Sequence, residues 1–293
     1  MHHMGKLIDH DGLACMTSRR IVVVTDKRFE AHGLMSALLG RPAGLSWPDS
    51  FSNNKRLCVY RGRDSIVEVW CVEELIPTHS NKSDSQEKMR ALQEILDPEP
   101  AVVLSLSTAA YPDTESRNGY VIVGTKIFNH SCADKELPGV VLDKCLDSPN
   151  TENLIGHALN KNDDEVNSRL LEVPLNPARP PIVTAKKSFV AVTVLNVPSY
   201  DAFPKCDMEA LEAARRNRVV DPICSVETTH GLVRCCWGIT ANVRFLFISG
   251  ITNRVGYYAT EVHEREYAQK FVASHNAGIV AAYLIAELLK RVD

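Results

Sequence analysis

Polar side chains follow two apolar segments in the C-terminal part of the chain, at the point where each segment ends. Glu227, Thr228 and Thr229 come directly after a short apolar segment, and Asn253 follows the apolar run at residues 244–249. Such short runs with little polar content are typical of buried strands. Polar residues at adjacent carboxyl ends of an α/β sheet face one crevice, where such folds bind ligands. We therefore expect these four residues to line one pocket.

His230 follows the same turn and adds a group that titrates near neutral pH. It is a candidate hydrogen-bond donor or general base for a ligand in this pocket. Because it begins a predicted helix, whose N-terminus disfavours a charged imidazolium, a purely structural histidine is an equally good interpretation.

The elements that must position these residues alternate along the chain. Apolar runs predict strands, amphipathic or alanine-rich segments predict helices, and the C-terminal helix covers one face of the sheet. The sequence therefore predicts an α/β fold, a three-layer sandwich with a mixed, mostly parallel sheet flanked by helices. The main predicted strands are residues 21–25, 101–106, 119–128, 189–196 and 244–249, and the main predicted helices are residues 86–96, 208–216, 231–241 and 267–289.

The length and composition of the chain favour one domain. With 293 residues and 45% hydrophobic content, the chain can bury a full α/β core. Residues 1–19 read as a loose N-terminal leader and residues 20–293 as a single domain. Residues 131–182 are irregular and rich in Asp, Asn and Pro, which indicates a variable insertion.

Charge and motif content exclude several classes of function. A net charge of −3 gives no electrostatic footprint for nucleic acid or acidic lipid. No apolar run reaches the length of a membrane span, and the first residues lack the apolar core of a signal peptide, so we expect a cytoplasmic protein. The nine cysteines form no paired motif, which favours reduced core thiols and no metal site. Phosphate-binding and dinucleotide-binding glycine motifs are absent, so no cofactor is expected.

Three short segments resemble one enzyme superfamily. Residues 225–230 read SVETTH, residues 251–253 read ITN, and residues 201–203 read DAF. The first is similar to the A-V-E-M-E-A turn of methylthioadenosine/S-adenosylhomocysteine nucleosidases, and the third to their S-G-D-A-F segment. The second is similar to the I-T-N of trimeric purine nucleoside phosphorylases. The chain thus resembles a divergent member of the nucleoside phosphorylase and nucleosidase superfamily.

The resemblance implies cleavage of the N-glycosidic bond of a purine-type nucleoside. Phe203 of the D-A-F segment would stack on the base, and Asp201 precedes it. Ser107 and Thr108 stand where the superfamily has a small-residue loop that approaches the sugar or phosphate. The loop after the first strand lends polar groups to the site in such enzymes, which makes Asp26, Arg28 and Glu30 candidates. A solvated loop is an equal alternative for each of these three residues.

The chain departs from the superfamily at two acidic positions. Asn253 stands where hydrolytic members have an aspartate that acts as general acid; an amide donates a hydrogen bond but delivers no proton. Thr229 stands where a glutamate grips the sugar hydroxyls, and one hydroxyl group accepts less strongly than a carboxylate. Glu227 would then hold the sugar. The alternative is a catalytically degenerate protein that binds a nucleoside or serves as a scaffold.

The resemblance also bears on the acceptor and on partners. Leu104 occupies the place of an arginine that binds phosphate in hexameric phosphorylases, which favours hydrolysis and leaves phosphate as an optional co-substrate. Related enzymes are dimers, trimers or hexamers, so the resemblance implies a homo-oligomer.

Overall fold

The computed structural model describes most of the chain. The described residues are 19–40, 56–61, 65–81, 83–148, 151, 155–156, 158–159, 163–173, 180–236, 243–263 and 266–290. The predicted leader, apart from residue 19, and parts of the predicted insertion lie outside them.

The described residues form one mixed sheet of 11 strands. Strand β1 carries an unbroken β-branched run at residues 21–25, as expected of a strand buried on both faces. The strands are β1 (Arg19–Thr25), β2 (Arg56–Arg61), β3 (Ser65–Cys71), β4 (Val102–Tyr111), β5 (Val121–Gly124), β6 (Lys126–Ser131), β7 (Cys145–Leu146), β8 (Val183–Ala185), β9 (Val190–Leu195), β10 (Ile223–Glu227) and β11 (Arg244–Arg254).

Seven α-helices within the described residues flank this sheet. They are α1 (Arg28–Leu38), α2 (Val72–Leu75), α3 (Ser85–Ile95), α4 (Asp163–Asn167), α5 (Phe203–Arg216), α6 (His230–Cys235) and α7 (Glu266–Lys290). A 3₁₀ turn at Tyr200–Ala202 precedes α5, and a π-helical turn at Ala259–His263 precedes α7.

Strand β4 is the centre of the sheet. It pairs in parallel with β1 on one side and with β11 on the other, and its far end pairs antiparallel with β10. Strand β10 in turn pairs in parallel with β9, and β9 with β6. Strand β4 therefore exchanges β1 for β10 as its neighbour along its length, while β11 stays paired with it on the other side.

Successive residues of the central strands pack on opposite faces of the sheet, as the period of two requires. Val23 packs in a core with residues of α1 and α7, whereas Val22 packs in a second core with residues of α3 and α6. A third core joins α5 to β9 and β10. The predicted three-layer α/β fold with a mixed, mostly parallel sheet is confirmed.

Helices α1 and α7 cross closely because glycines face each other's backbone. A Cβ atom on Gly33 would lie 2.5 Å from Cβ of Ser274, and one on Gly278 would lie 2.7 Å from Cα of Leu34. Helix α7 runs through Gly278 without interruption. Gly278 is therefore a contact point between two helices and not a helix end.

The sequence indicates no apolar run of membrane-spanning length, but the described residues contain one. Gln269–Lys290 within α7 is long and apolar enough to cross a bilayer by length and composition, and 61% of its most apolar stretch is buried inside the protein. This helix packs against α1 and the sheet, as the core helix of a three-layer fold does.

Three predicted boundaries need correction. Residues 107–110, expected to form a loop, continue β4 because they pair in register with β11. Residues 119–128, expected to form one strand, form parts of β5 and β6, since β5 pairs with β11 and β6 with β9. Helix α5 begins at Phe203 and not at residue 208, because Pro204 in its first turn is compatible with a helix start.

Candidate active site

A cavity of about 590 Å³ lies where β4 exchanges β1 for β10 as its neighbour. Its wall comes from the β1–α1 junction, the second half of β4, the start of α5, the ends of β10 and β11, and the start of α7. A volume of this size is typical of a site for a small molecule.

The pairing register explains why residues distant in the sequence meet here. Ala110 of β4 is the partner of Val226 in β10 and also of Asn253 in β11. Neighbouring strands lie about 4.8 Å apart, so Val226 and Asn253 flank Ala110 at roughly 10 Å from each other. Glu227 is the residue after Val226 and the last of β10, so Glu227 and Asn253 lie on the two sides of β4, and both line the cavity.

Six of the nine site residues expected from the sequence line this cavity. They are Ser107, Thr108, Phe203, Glu227, Thr228 and Asn253. The other three, Asp201, Thr229 and His230, are not part of its wall. Asp26, Arg28 and Glu30 of the β1–α1 junction, proposed from the resemblance, also line it.

Asp201 and Thr229 miss the cavity for different reasons. Asp201 lies exposed in a 3₁₀ turn and is not part of the wall that Phe203 lines two residues later. Thr229 is 1% exposed, and its hydroxyl group accepts a hydrogen bond of 3.2 Å from Nζ of Lys88. Neither side chain is in place to bind a ligand in the cavity.

His230 is a buried structural residue beneath the site. Its ring nitrogens lie 2.7 Å from the hydroxyl of Ser105 and 3.0 Å from that of Ser249, so both have partners. Burial lowers the pKa of His230 to about 3, although the charge of Asp26 opposes the change. The ring is therefore neutral at physiological pH and packs against Phe247.

Glu227 organises the turn between β10 and α6. Its carboxylate accepts hydrogen bonds from the hydroxyl of Thr193 and from the backbone N–H groups of Thr229 and His230. The last two are N–H groups at a helix start, which lack partners within the helix. Burial raises the pKa of Glu227 to about 7, although these three hydrogen bonds favour its charged form.

Glu30 is a second buried carboxylate of the cavity wall. One oxygen accepts from the backbone N–H groups of Asp26 and Lys27, at 3.0 and 2.9 Å. The other accepts from the hydroxyl of Ser107 and from the N–H and hydroxyl of Thr108. Burial and the nearby charge of Asp26 raise the pKa of Glu30 to about 7, against the hydrogen bonds from Thr108 and Lys27. Glu30 is held rigidly and exchanges a proton near neutrality.

Asp26 contacts a lysine that sequence reasoning did not identify. Nζ of Lys88 lies 2.7 Å from Oδ2 of Asp26 and also donates to the hydroxyl groups of Thr228 and Thr229. Burial favours the neutral form of Asp26, but the positive charges of Lys88 and Lys27 hold its pKa below the ordinary value. Lys88 thus keeps a fixed negative charge next to Glu30 and ties α3 to the turn after β10.

Asn253 has one donor position left for a ligand. Its side-chain oxygen accepts from the hydroxyl of Thr252 at 2.7 Å, and its amide nitrogen donates to the backbone oxygen of Arg254 at 2.8 Å. An amide nitrogen carries two hydrogens, so a second one remains for a ligand in the cavity that Asn253 lines.

Aromatic rings form one wall of the cavity. Phe203 lies face to face with Tyr258 at a centroid distance of 6.1 Å, and Tyr200 meets Phe203 edge on at 5.8 Å. The hydroxyl groups of the two tyrosines are joined by a hydrogen bond. Sequence reasoning identified Phe203 but neither tyrosine, because tyrosines outside a motif give no signal.

Asp207 is a further site residue that sequence reasoning missed. It lines the cavity and is 7% exposed. Burial and the charge of Glu227 raise its pKa to about 7. The sequence predicts a helix from residue 208, so Asp207 is expected only as an acidic residue at the start of that helix. In the structure it lies in the second turn of α5.

A cluster of metal-ligand types lies outside the cavity. Ligand atoms of Cys132, Cys206 and Glu209 lie within 4.8 Å of one another. Burial and a hydrogen bond to Cys206 raise the pKa of the Cys132 thiol, which favours its protonated form.

Comparison with known proteins gives fold relatives only. No family model matches the sequence, and no curated protein matches it. The structure is similar to a methylthioadenosine/S-adenosylhomocysteine nucleosidase of Colwellia psychrerythraea solved with adenine, with a TM-score of 0.58 and 13% identity over 92% of this chain and 96% of that one.

Two other solved structures agree with this similarity. Futalosine hydrolase of Helicobacter pylori gives a TM-score of 0.58 at 11% identity, over 94% of this chain and 100% of that one. An S-adenosylhomocysteine nucleosidase of Streptococcus pyogenes, solved with 5-methylthiotubericidin, gives 0.57 at 11% identity, over 94% and 99%. The chain therefore has the fold of these solved nucleosidases and of futalosine hydrolase.

Proposed function

We propose that this protein cleaves the N-glycosidic bond of a purine-type nucleoside, by hydrolysis rather than phosphorolysis. The observation that carries the proposal is the convergence of Phe203, Glu30, Glu227 and Asn253 on one cavity of nucleoside size. An aromatic ring, two carboxylates and an amide donor are the groups that a base, a water molecule and a sugar require.

The base binds against Phe203 in this proposal. Stacking on an aromatic ring tolerates any base, since every base has a π face. The free amide hydrogen of Asn253 donates to an acceptor on the base edge, such as N7 or O6 of a purine. Because an amide delivers no proton, leaving-group assistance by hydrogen bonding favours 6-oxopurines, whose O6 and N7 are both acceptors.

Glu30 activates the water molecule in this proposal. Its oxygens already accept five hydrogen bonds, so water binds only when the hydroxyl donors of Ser107 and Thr108 turn away; Ser107 has the backbone oxygen of Thr108 as its other acceptor, at 3.0 Å. A general base works best when its pKa lies near the operating pH, and that of Glu30 is about 7. The donors from Ser107 and Thr108 fix its carboxylate at the cavity wall. These two residues are thereby assigned a positioning role next to the sugar, in addition to lining its side of the cavity.

Glu227 and Thr228 complete the sugar side. Glu227 is held by three donors and keeps acceptor capacity toward the cavity, since two carboxylate oxygens offer about four lone pairs. Thr228 lines the cavity with its hydroxyl group bonded to Lys88.

Phosphate remains an optional co-substrate in this proposal, and no organic cofactor or metal is needed. Leu104 at the place of a phosphate-binding arginine is wholly buried in the core. The cavity wall contains cationic side chains that can bind an anion: Lys27, Arg28 and Lys270.

Localisation in the cytoplasm and assembly into a homo-oligomer stay predictions from the sequence.

A second function fits the same site. A protein that binds a nucleoside without cleaving it needs the aromatic wall and the polar groups but no proton donor to the base. Thr229 turned toward Lys88, and Asn253 in place of an acid, favour this alternative.

A nucleoside panel separates the two functions. The purified protein is incubated with inosine, guanosine, adenosine and methylthioadenosine, with and without inorganic phosphate, and free base is measured by chromatography. Release of base without phosphate supports hydrolysis, and release only with phosphate supports phosphorolysis. Binding by calorimetry without release supports the alternative. If no member of the panel is bound and none is cleaved, both proposed functions are contradicted.

A further inference from the structure

Asp207 projects into the cavity next to the aromatic wall. It lies four residues after Phe203 on α5, and residues at this spacing share one face of a helix. Both side chains line the cavity. A ligand that stacks on Phe203 therefore has a carboxylate within reach on the same helix.

The Asp207 carboxylate has no partner among the described residues. It is 7% exposed, yet no hydrogen bond or ion pair joins it to any part of the chain that the structure describes. Its recorded electrostatic neighbour is Glu227, which repels it. A buried carboxylate without donors is costly, and such a group at a cavity wall is the one that a ligand's donors satisfy.

The other cavity carboxylates already have donors. Glu30 accepts five hydrogen bonds and Glu227 three within the described residues. Asp26 is paired with Lys88, and Glu73 accepts from the backbone N–H of Arg28. Oδ1 of Asp26 also lacks a donor, but the other oxygen of that carboxylate is paired with Lys88. Among these wall carboxylates, Asp207 is the one for which neither oxygen has a donor within the described residues.

The charge and the shape of the Asp207 carboxylate indicate which donor groups on a ligand would bind it. Its neighbour Glu227 carries the same charge, so a cation or paired hydroxyl groups between them would relieve the repulsion. Two adjacent hydroxyl groups each donate one hydrogen, and a carboxylate accepts both at once. Thr229, whose hydroxyl already accepts from Lys88, is not placed to do this.

We propose that Asp207 is the sugar-binding carboxylate of this site and selects ligands that carry a vicinal diol next to the stacked base. This inference rests on the proposed nucleoside site and adds a residue to it. Glu227 then acts mainly as the organiser of the β10–α6 turn.

The test compares ribonucleosides with their 2′,3′-dideoxy counterparts in the wild type and in Asp207→Asn. Asparagine has the same shape, so the fold is kept, and a thermal melt of each variant verifies it. Glu212→Gln is the matched control, because Glu212 is exposed on the same helix and pairs with Arg216. Binding of inosine and of 2′,3′-dideoxyinosine is measured by calorimetry.

We expect the wild type and Glu212→Gln to bind inosine at least about 10-fold more tightly than the dideoxy compound. In Asp207→Asn this ratio falls by about 10-fold, while the affinity for the dideoxy compound stays the same. An unchanged ratio in Asp207→Asn, or a change in base preference instead, would overturn the inference and leave the nucleoside site intact. A wild type that binds no ribonucleoside would overturn the proposed function, and the inference with it.

Discussion

Nζ of Lys88 lies 2.7 Å from Oδ2 of Asp26, and the two side chains are only 2% and 4% exposed beside the cavity. The pair links α3 to the β1–α1 junction, and through the hydroxyl groups of Thr228 and Thr229 it also links both to the β10–α6 turn. A buried ion pair of this kind fixes geometry more than it adds stability, but the loss of one partner leaves an uncompensated charge.

Lys88→Met is therefore expected to destabilise the protein by about 3–5 kcal/mol in urea unfolding. Lys135→Met is the control: it removes an exposed pair with Asp84 and should cost no more than about 1 kcal/mol. Adding Asp26→Asn to Lys88→Met should restore part of the loss, because the orphaned charge is gone. Equal unfolding midpoints for Lys88→Met and Lys135→Met would contradict this account of the pair.

Glu30→Gln is expected to lower the rate of base release by about 10²–10⁴-fold, because glutamine cannot take a proton from water. Nucleoside affinity should change little, since the stacking wall is untouched. Glu87→Gln on the outer surface of α3, where Glu87 pairs with Arg90, is the control and should keep the wild-type rate. If Glu30→Gln turns over at the wild-type rate, the general base lies elsewhere.

The pH dependence of the wild-type rate follows from the raised pKa of Glu30, about 7. A general base must be ionised to act, so the rate should rise with pH through about 7 and level off above it. Steady-state rates at constant ionic strength measure this. A rate that falls with increasing pH over the same range would assign Glu30 the role of an acid.

Phe203→Ala removes the proposed base platform. Base stacking on an aromatic ring contributes about 1–3 kcal/mol, so nucleoside affinity should fall by about 10- to 100-fold. Tyr257→Ala is the control, because Tyr257 is 47% exposed and is not part of the cavity wall. Calorimetry with inosine compares the two variants. Equal affinities in both would show that the base does not rest on Phe203.

Asp207→Asn should stabilise the ligand-free protein at neutral and higher pH. Burial and Glu227 raise the pKa of Asp207 to about 7 in the folded state, so the folded protein holds this proton more tightly than the unfolded chain. The free energy of unfolding of the wild type therefore falls as pH rises from 3.8, the ordinary pKa of Asp207, toward about 7. Above that pH the cost of the buried charge is fully present. The variant lacks this penalty.

The expected gain for Asp207→Asn is about 1–3 kcal/mol at pH 8, shrinking to nothing below about pH 4. Urea unfolding at both pH values measures it. Loss of function combined with gain of stability is the usual pattern for a ligand-binding residue. A variant that is less stable than the wild type at pH 8 would mean that Asp207 makes a favourable interaction in the free protein.

The residues that sequence reasoning located share a property that a single sequence reveals. Phe203, Glu227 and Asn253 sit in short motifs at the ends of apolar segments, and the ends of such segments meet at one place in an α/β sheet. The apolar runs also predicted the layers of the fold. Short unbroken apolar runs indicate buried strands, and a helical repeat of apolar residues indicates the helices that cover them.

The residues that it missed depend on tertiary contacts. Lys88 lies in a charged, amphipathic helix, and nothing in that pattern tells that its side chain is buried against Asp26. Asp207 was missed because the sequence predicts the start of α5 at residue 208, whereas the helix begins at Phe203. His230 was placed at the right turn, but its side-chain direction follows from Ser105 and Ser249, which lie on two other strands.

The central claim is that one cavity holds a nucleoside with its base on Phe203. A crystal structure of the protein with an unreactive ribonucleoside analogue tests it most directly. The account predicts the base against the Phe203 ring, its edge within hydrogen-bond distance of the Asn253 amide, and the sugar hydroxyl groups toward Asp207. An analogue bound elsewhere on the protein, or bound in the cavity with its base away from Phe203, would contradict it.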